Sequence, residues 1–213
     1  MDVVVAGGHG KIAQRLLRLL AERGDRARGL IRNPEHASDL EAIGAEAVLC
    51  DMEREDDLGP FVEGADAVVF AAGAGPGSGP ERKQTVDLGG AVKLIDACKA
   101  TGVDRYLIVS SVGADDPERG SEQMRPYLQA KHDADEALKA SGLDYTIVRP
   151  GRLTDDPGTG RIRAGADIGY GEVPRDDVAA TLVAALDEPG TVGKTFVLLS
   201  GETPVEQALR KLG

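Results

Sequence analysis

The sequence predicts an α/β fold, in which a doubly wound parallel sheet of about seven strands is covered by helices on both faces. Two observations favour this class. Short apolar runs alternate with segments of helical period from the first residue to about residue 200. Most of these runs are continuously apolar, which is typical of strands buried on both faces. At 213 residues, the chain also has the length of one domain.

Seven apolar runs are the predicted strands of this sheet. In chain order they are Val3 to Ala6, Ala27 to Ile31, Ala47 to Cys50, Ala67 to Ala71, Tyr106 to Val109, Tyr145 to Arg149 and Thr195 to Leu198. We predict a single domain over residues 1–213, with a small substrate-side part formed by residues 151–173 and 189–213.

Three segments carry clear helix signals. The first helix ends at Gly24, and its apolar face is Ile12, Leu16, Leu19 and Leu20. The second begins near Thr85 and ends at Gly102, with Val86, Leu94, Ile95 and Cys98 on its apolar face. A capping box of Thr203, Pro204 and Glu206 predicts a terminal helix over Val205 to Leu212.

The remaining segments are glycine-rich and are predicted to be irregular. Gly73 to Gly79 and Thr154 to Tyr170 are predicted loops. Gly73 to Gly79 and Leu153 to Gly160 either form a mobile rim over a site or simply connect neighbouring elements at the surface.

The charge balance limits the partners. With 25 basic and 36 acidic residues the net charge is −11, so neither nucleic acid nor an anionic membrane is an expected partner. Cys50 and Cys98 lack metal-ligand spacing, so we expect reduced core thiols and no metal site. No signal peptide or membrane-spanning run is evident, which predicts a cytoplasmic protein. The expected partner is a small-molecule substrate, and a homodimer is compatible with the sequence.

A glycine-rich turn, Gly7-Gly8-His9-Gly10-Lys11-Ile12-Ala13, joins the first strand to the first helix. Gly7 allows a tight turn, Gly10 lets a pyrophosphate approach backbone N–H groups, and the small Ala13 permits close helix packing. The order of strand, turn and helix predicts a Rossmann-type dinucleotide site; a turn that only connects the two elements is the alternative. His9 is assigned no role, because a solvated side chain is the favoured interpretation.

The end of the second strand bears on the choice of dinucleotide. Arg32 lies 22 residues after Gly10, where NAD-binding proteins usually carry an acidic residue for the ribose hydroxyls. A guanidinium there pairs with a 2′-phosphate, so NADP is the predicted cofactor. If Arg32 is a solvated side chain, NAD is equally compatible. Asp51 is expected near the adenine, and the small residues Ala71 to Gly73 near a cofactor ribose.

Tyr127 and Lys131 form the candidate catalytic group. Their spacing of four residues places them on one helix face, where the ammonium can lower the pKa of the phenol and hold a ribose. Ser110 and Ser111 end the fifth strand, at the sheet edge where ligands bind in open α/β sheets. The set suits carbonyl reduction or alcohol oxidation. The alternative is that Tyr127 and Lys131 only orient the cofactor, without turnover.

These motifs resemble the short-chain dehydrogenase/reductase superfamily, and specifically its small atypical NAD(P)H-binding branch, which is related to NmrA-like and sugar-epimerase-like proteins. The similarity covers nearly the whole chain. It is carried by the segments AGGHGKIA, LIRNPEHA, VDLGGAVKLIDACKATGVDRYLIVSSVGA, YLQAK, SGLDYTIVRPGRLTD, PRDDVAATLVAAL and SGETPVEQAL.

The resemblance implies a set of site residues. Ser111 would be the polarising serine, Tyr127 the acid/base, and Lys131 the third catalytic residue, with Ser110 as a substitute for Ser111. The predicted cofactor contacts are Gly7, Gly10, Lys11, Ile12, Arg32, Asp51, Met52, Ala71, Ala72, Gly73, Lys131, Pro150 and Gly151. Two features depart from the family pattern, since Ala13 replaces the third glycine and Ser111 lies only 16 residues before Tyr127.

Three functions follow as hypotheses. The first is an NADP-dependent oxidoreductase that transfers hydride to or from a small carbonyl, alcohol or flavin-like substrate. The second is an NmrA-like regulator that senses NADP without turning it over. The third is an enzyme like the sugar epimerases or dehydratases, although the segment after Arg149 is too short for the large substrate domain of sugar-nucleotide epimerases.

Overall fold

The computed structural model describes residues 1–73, 75 and 79–213, and its centre is a largely parallel sheet. The strands are β1 (Asp2–Ala6), β2 (Arg26–Ile31), β3 (Glu46–Leu49), β4 (Ala67–Phe70), β5 (Arg105–Val109), β6 (Asp144–Pro150), β7 (Arg152–Thr154), β8 (Arg161–Gly165), β9 (Glu172–Pro174), β10 (Lys194–Ser200) and β11 (Thr203–Pro204). The main sheet has the order β11-β8-β10-β6-β5-β4-β1-β2-β3. From β3 to β10 all neighbours are parallel, which confirms the predicted Rossmann-type class.

Helices connect these strands. They are α1 (Lys11–Glu22), α2 (Ala37–Glu41), α3 (Gly59–Val62), α4 (Pro80–Arg82), α5 (Ala91–Thr101), α6 (Arg125–Ala140), α7 (Arg175–Asp187) and α8 (Val205–Arg210). A π-helical segment, Lys83–Gly90, joins α4 to α5, and 3-10 turns lie at Pro34–His36, Pro117–Arg119 and Pro189–Thr191. As predicted, α5 ends at Gly102, which adopts a left-handed conformation.

The sheet has an apolar layer on each face, as its continuously apolar strands predict. Along β1, Val3 and Val5 belong to one core cluster, whereas Val4 and Ala6 belong to the other. The first cluster includes the buried leucines of α1, and the second includes Leu94 and Cys98 of α5. Burial raises the pKa of the Cys50 and Cys98 thiols to about 12. Both cysteines are free and buried, as predicted.

The prediction of about seven strands is too low. Four further strands, β7, β8, β9 and β11, lie in the part of the chain after Pro150. The predicted loop Thr154 to Tyr170 contains β8, which pairs antiparallel with β10. A search for apolar runs does not find these strands, because they are short and only partly buried. In β8, for example, Ile162 is fully buried while both arginines are exposed.

The predicted capping box at the last helix is wrong. Thr203 pairs with Ile162 in the sheet, and Pro204 is the residue that precedes the helix. No side chain caps this helix in the part of the chain that the structure describes. Its first amide, that of Val205, instead donates a hydrogen bond of 3.1 Å to the carbonyl of Gly160. Across the described residues, no helix combines the length and apolar content that crossing a bilayer requires.

Candidate functional site

A cleft of about 300 Å³ opens at the carboxyl ends of β1 to β4. Eight predicted cofactor contacts line it, namely Gly7, Gly10, Arg32, Asp51, Met52, Ala71, Ala72 and Gly73. Their convergence follows from the parallel sheet, which brings the carboxyl ends of neighbouring strands to one edge. The cleft wall also includes side chains without a predicted role, among them His9, His36, Glu53 and Arg82.

Gly7 and Gly10 of the glycine turn lie close to neighbouring backbone atoms. Gly7 has a φ of +78°, and a Cβ there would lie 2.6 Å from the Cα of Ala72. A Cβ at Gly10 would lie 3.1 Å from the carbonyl oxygen of Gly7. In the described residues no side chain caps the start of α1, so its first N–H groups can receive an anion. The turn therefore fits a dinucleotide pyrophosphate.

Charged side chains from three elements meet in the part of the cleft formed by the residues after β2 and β3. Arg32 follows β2, and its side chain, 57% exposed, lies 3.6 Å from the Glu53 carboxylate. Arg82 approaches the same carboxylate to 3.3 Å. Thr85 Oγ1 donates a hydrogen bond of 2.7 Å to Glu53. The contact of Arg32 is long, so its guanidinium can turn towards a phosphate with little loss.

Two histidines of the cleft wall stack on each other. The ring centroids of His9 and His36 are 3.5 Å apart, with an angle of 11° between the planes. Nε2 of His9 lies 2.8 Å from a carboxylate oxygen of Asp39. His9 comes from the glycine turn and His36 from the 3-10 turn after β2, so the pair links these two parts of the cleft wall. The sequence signal for His36 is its position four residues after Arg32.

Lys131 is buried and bound to three acceptors. Its Nζ lies 3.1 Å from Asp87 Oδ1, and it donates hydrogen bonds to the carbonyls of Val109 at 3.2 Å and Ala72 at 3.5 Å. Burial opposes the charged form, but Tyr127, Asp87 and Asp135 outweigh burial and raise the pKa of Lys131. Lys131 is therefore a cation that ties α6 to the ends of β4 and β5.

Asp87 is the functional candidate that the sequence interpretation missed. It is fully buried within the π-helical segment, and a Cβ at Gly73 would lie 3.2 Å from its Oδ1. Its carboxylate thus lies between Lys131 and a predicted cofactor contact. The available signal is an acidic residue between Val86 and Leu88, on a helix that otherwise packs against the sheet. Short π segments are frequent at functional sites.

Tyr127 lies beside two ammonium groups. Its ring centroid is 5.9 Å from Nζ of Lys131 and 5.8 Å from Nζ of Lys83. The side chain is half-buried, as expected of a residue that can reach both a ligand and the protein interior. The shared helix face of Tyr127 and Lys131 agrees with their spacing of four residues.

The two serines after β5 have different surroundings. Ser110 is buried, and its Oγ donates a hydrogen bond of 2.9 Å to Asp135, which also pairs with Arg149. Burial raises the pKa of Asp135, against the opposing effect of Arg149. Ser111 is half-buried, and its Oγ donates to the carbonyl of Val112 over 3.2 Å. Ser111 is thus the more accessible hydroxyl.

The other predicted contacts do not line the cleft. Lys11 points to Asp155 at 2.6 Å, and Ile12 is packed in the core. Pro150 ends β6, and Gly151 packs so closely that a Cβ would lie 2.3 Å from the Gly171 carbonyl. Lys131 lies behind the cleft wall, where it contacts Ala72.

The structure describes only one of the two predicted rim segments in full. Gly73 to Gly79 lies partly outside the described residues. Within Leu153 to Gly160, the amides of Thr159 and Gly160 donate to the Asp177 carboxylate at 3.0 and 2.8 Å. These bonds tie the end of this segment to α7.

The sheet order, the glycine turn and the cleft at its edge together define a nicotinamide-dinucleotide-binding protein of the Rossmann class. The chain belongs to the NAD(P)H-binding family, whose model matches residues 7–189. It is 43% identical to an uncharacterized sugar epimerase of Bacillus subtilis, YhfK, over the full length of both chains.

Two solved structures are similar over nearly the whole chain. One is a Bacillus halodurans protein that bears the name NAD-dependent epimerase/dehydratase, with 39% identity, a TM-score of 0.94 and 99% of each chain covered. The other is the oxidoreductase ylbE from Lactococcus lactis, with 29% identity and a TM-score of 0.89, which covers 100% of this chain and 96% of the other. The relatives thus bear names of oxidoreductases and epimerases.

Proposed function

We propose that the protein is an NADP-dependent oxidoreductase that acts on a small carbonyl, alcohol or flavin-like substrate. The observation that carries this proposal is the half-buried phenol of Tyr127 beside the buried ammonium of Lys131, on the side of the sheet where the cleft opens.

In this proposal each side chain of the candidate catalytic group has a separate role. When bound, a nicotinamide supplies or accepts the hydride. The Tyr127 hydroxyl gives a proton to the substrate oxygen or takes one from it. The charge of Lys131 stabilises negative charge on the phenol oxygen, and Ser111 can donate a hydrogen bond to the substrate oxygen. Asp87 holds Lys131 in place for this role.

The preference for NADP is assigned to Arg32. Replacing Arg32 with alanine should weaken NADPH binding by about 10- to 100-fold, because a charge-assisted bond to the 2′-phosphate is lost. NADH binding should not change. The matched control is Arg119→Ala, which removes a guanidinium that is 81% exposed and outside the cleft lining. Titration with both cofactors measures the ratio of affinities, and an unchanged ratio in the Arg32 variant contradicts the assignment.

Turnover is tested by a screen of NADPH consumption against aldehydes, ketones, quinones and flavins. Tyr127→Phe should lower the rate with any active acceptor on the order of 100-fold while retaining cofactor binding. Tyr145→Phe is the control, because Tyr145 lies near the amino end of β6, whereas the cleft opens at the carboxyl ends of the strands. Equal rates in the Tyr127 variant and the parent protein would exclude Tyr127 as the proton donor.

The second candidate is a sensor that binds NADP without turnover. One observation favours it, since an ammonium has three donors and Lys131 already has three acceptors, in Asp87, Val109 and Ala72. In the enzyme, a cofactor ribose would have to replace one of them, most readily the Ala72 carbonyl at 3.5 Å. Tight NADPH binding with no oxidation by any acceptor in the screen would favour the sensor.

A further inference from the structure

The stacked rings of His9 and His36 line the same cleft as Arg32, the residue to which the contact with the 2′-phosphate of NADP is assigned. Both rings and Arg32 line the same cleft, and the two rings come from separate elements. A phosphate monoester near neutral pH carries between one and two negative charges, of which one guanidinium balances one. Histidine can supply the second positive charge, because its charge changes between pH 5 and 8.

The geometry limits the positive charge that the pair can hold. Nε2 of His9 lies 2.8 Å from a carboxylate oxygen of Asp39. Two stacked imidazoliums with centroids 3.5 Å apart would repel each other, so the pair can hold at most one positive charge. The other charged side chains that line this cleft are Arg32, Asp51, Glu53 and Arg82.

We propose that His9 and His36, together with Arg32, form a binding site for the 2′-phosphate of an adenosine nucleotide, and that filling this site takes up one proton. This inference rests on the proposed preference for NADP, and it adds the histidine pair to Arg32 as a second group of side chains that determines the preference. Affinity for NADPH then rises as pH falls through the range in which imidazole gains its proton, whereas affinity for NADH does not.

The sign of the proton exchange distinguishes this site from one that uses arginine alone. A phosphate monoester has a second pKa near 6, and a guanidinium favours its dianion. Binding by Arg32 alone would therefore release a proton or exchange none. Protonation of the histidine pair on binding would instead take up a proton. Net proton uptake therefore identifies a site that includes the pair.

The experiment is calorimetric titration of the full-length protein with NADPH, NADH, 2′,5′-ADP and 5′-AMP at pH 7, in buffers of different ionisation enthalpy. We expect uptake of about half to one proton with NADPH and 2′,5′-ADP, and none with NADH or 5′-AMP. His36→Gln and His9→Gln should each abolish the uptake and weaken NADPH binding about 10-fold, with NADH binding unchanged.

His132→Gln is the matched control. It changes the third histidine of the chain, whose Nδ1 lies 2.8 Å from the Ala114 carbonyl and which does not line the cleft. It should retain full proton uptake. A preference for NADPH that survives both cleft substitutions without a change in proton uptake overturns this inference alone. Equal binding of NADH and NADPH by the parent protein overturns the inference and the proposed cofactor preference together.

Discussion

Replacing Gly7 with alanine is expected to abolish cofactor binding and to lower the free energy of unfolding by about 2 to 4 kcal/mol. The added Cβ would lie 2.6 Å from the backbone Cα of Ala72, and the residue would keep a φ of +78°. Neither β1 nor β4 can move away, because they pair along their length. The turn must therefore open, and the N–H groups that receive the pyrophosphate lose their position.

Gly24→Ala separates backbone strain from the close contact. Gly24 has a φ of +88°, but nothing lies within 4 Å of an added Cβ. This variant should lose only about 1 to 2 kcal/mol and bind NADPH normally. Chemical denaturation and NADPH titration of both variants make the comparison. If the Gly7 variant binds NADPH as well as the Gly24 variant does, the glycine turn is not the pyrophosphate site.

Replacing Lys131 with methionine should cost about 3 to 5 kcal/mol of stability, because it removes one partner of a buried ion pair. The pair is 3% and 1% exposed, so water does not screen it. The substitution leaves the Asp87 carboxylate in the protein interior without the cation 3.1 Å away. It also removes the donors to the carbonyls of Val109 and Ala72. Urea denaturation measures the loss.

A double substitution tests the cause of that loss. Asp87→Asn together with Lys131→Met removes both charges, so the double variant should be more stable than Lys131→Met alone. Lys139→Met provides a surface control, since its partner Glu136 is 53% exposed and the pair should contribute less than about 1 kcal/mol. A double variant no more stable than the single one would show that the buried charge is not the cause.

The centre of the fold follows from the sequence because its strands are buried on both faces. All seven predicted strands form the parallel part of the sheet, from β3 to β10. The region after Pro150 was less predictable, since its strands are defined by pairing and not by their own apolar runs. Ile162 in β8, for example, is buried between exposed arginines through its place beside β10 and β11.

The site was predictable where backbone geometry determines it. Gly7 and Gly10 lie close to neighbouring backbone atoms, and Arg32 lines the cleft at the distance along the chain from the turn that the motif predicts. The sequence did not indicate roles for His36 and Asp87, because the partner of each lies in a distant segment. His36 stacks on His9 of the turn, and Asp87 pairs with Lys131 of α6. Long-range pairs of this kind leave no periodic signal in a single sequence.

The roles of Ser111, Tyr127 and Lys131 remain predictions that depend on turnover. The central test of these roles uses two forms of NADPH, each with deuterium on a different face of nicotinamide C4. Mass spectrometry measures how much deuterium remains in the NADP⁺ that forms with each acceptor. If the protein transfers hydride, the NADP⁺ loses deuterium from one face and retains it from the other, and Tyr127→Phe forms NADP⁺ on the order of 100-fold more slowly. If NADPH saturates the protein but neither labelled form is converted to NADP⁺, the proposed hydride transfer is contradicted.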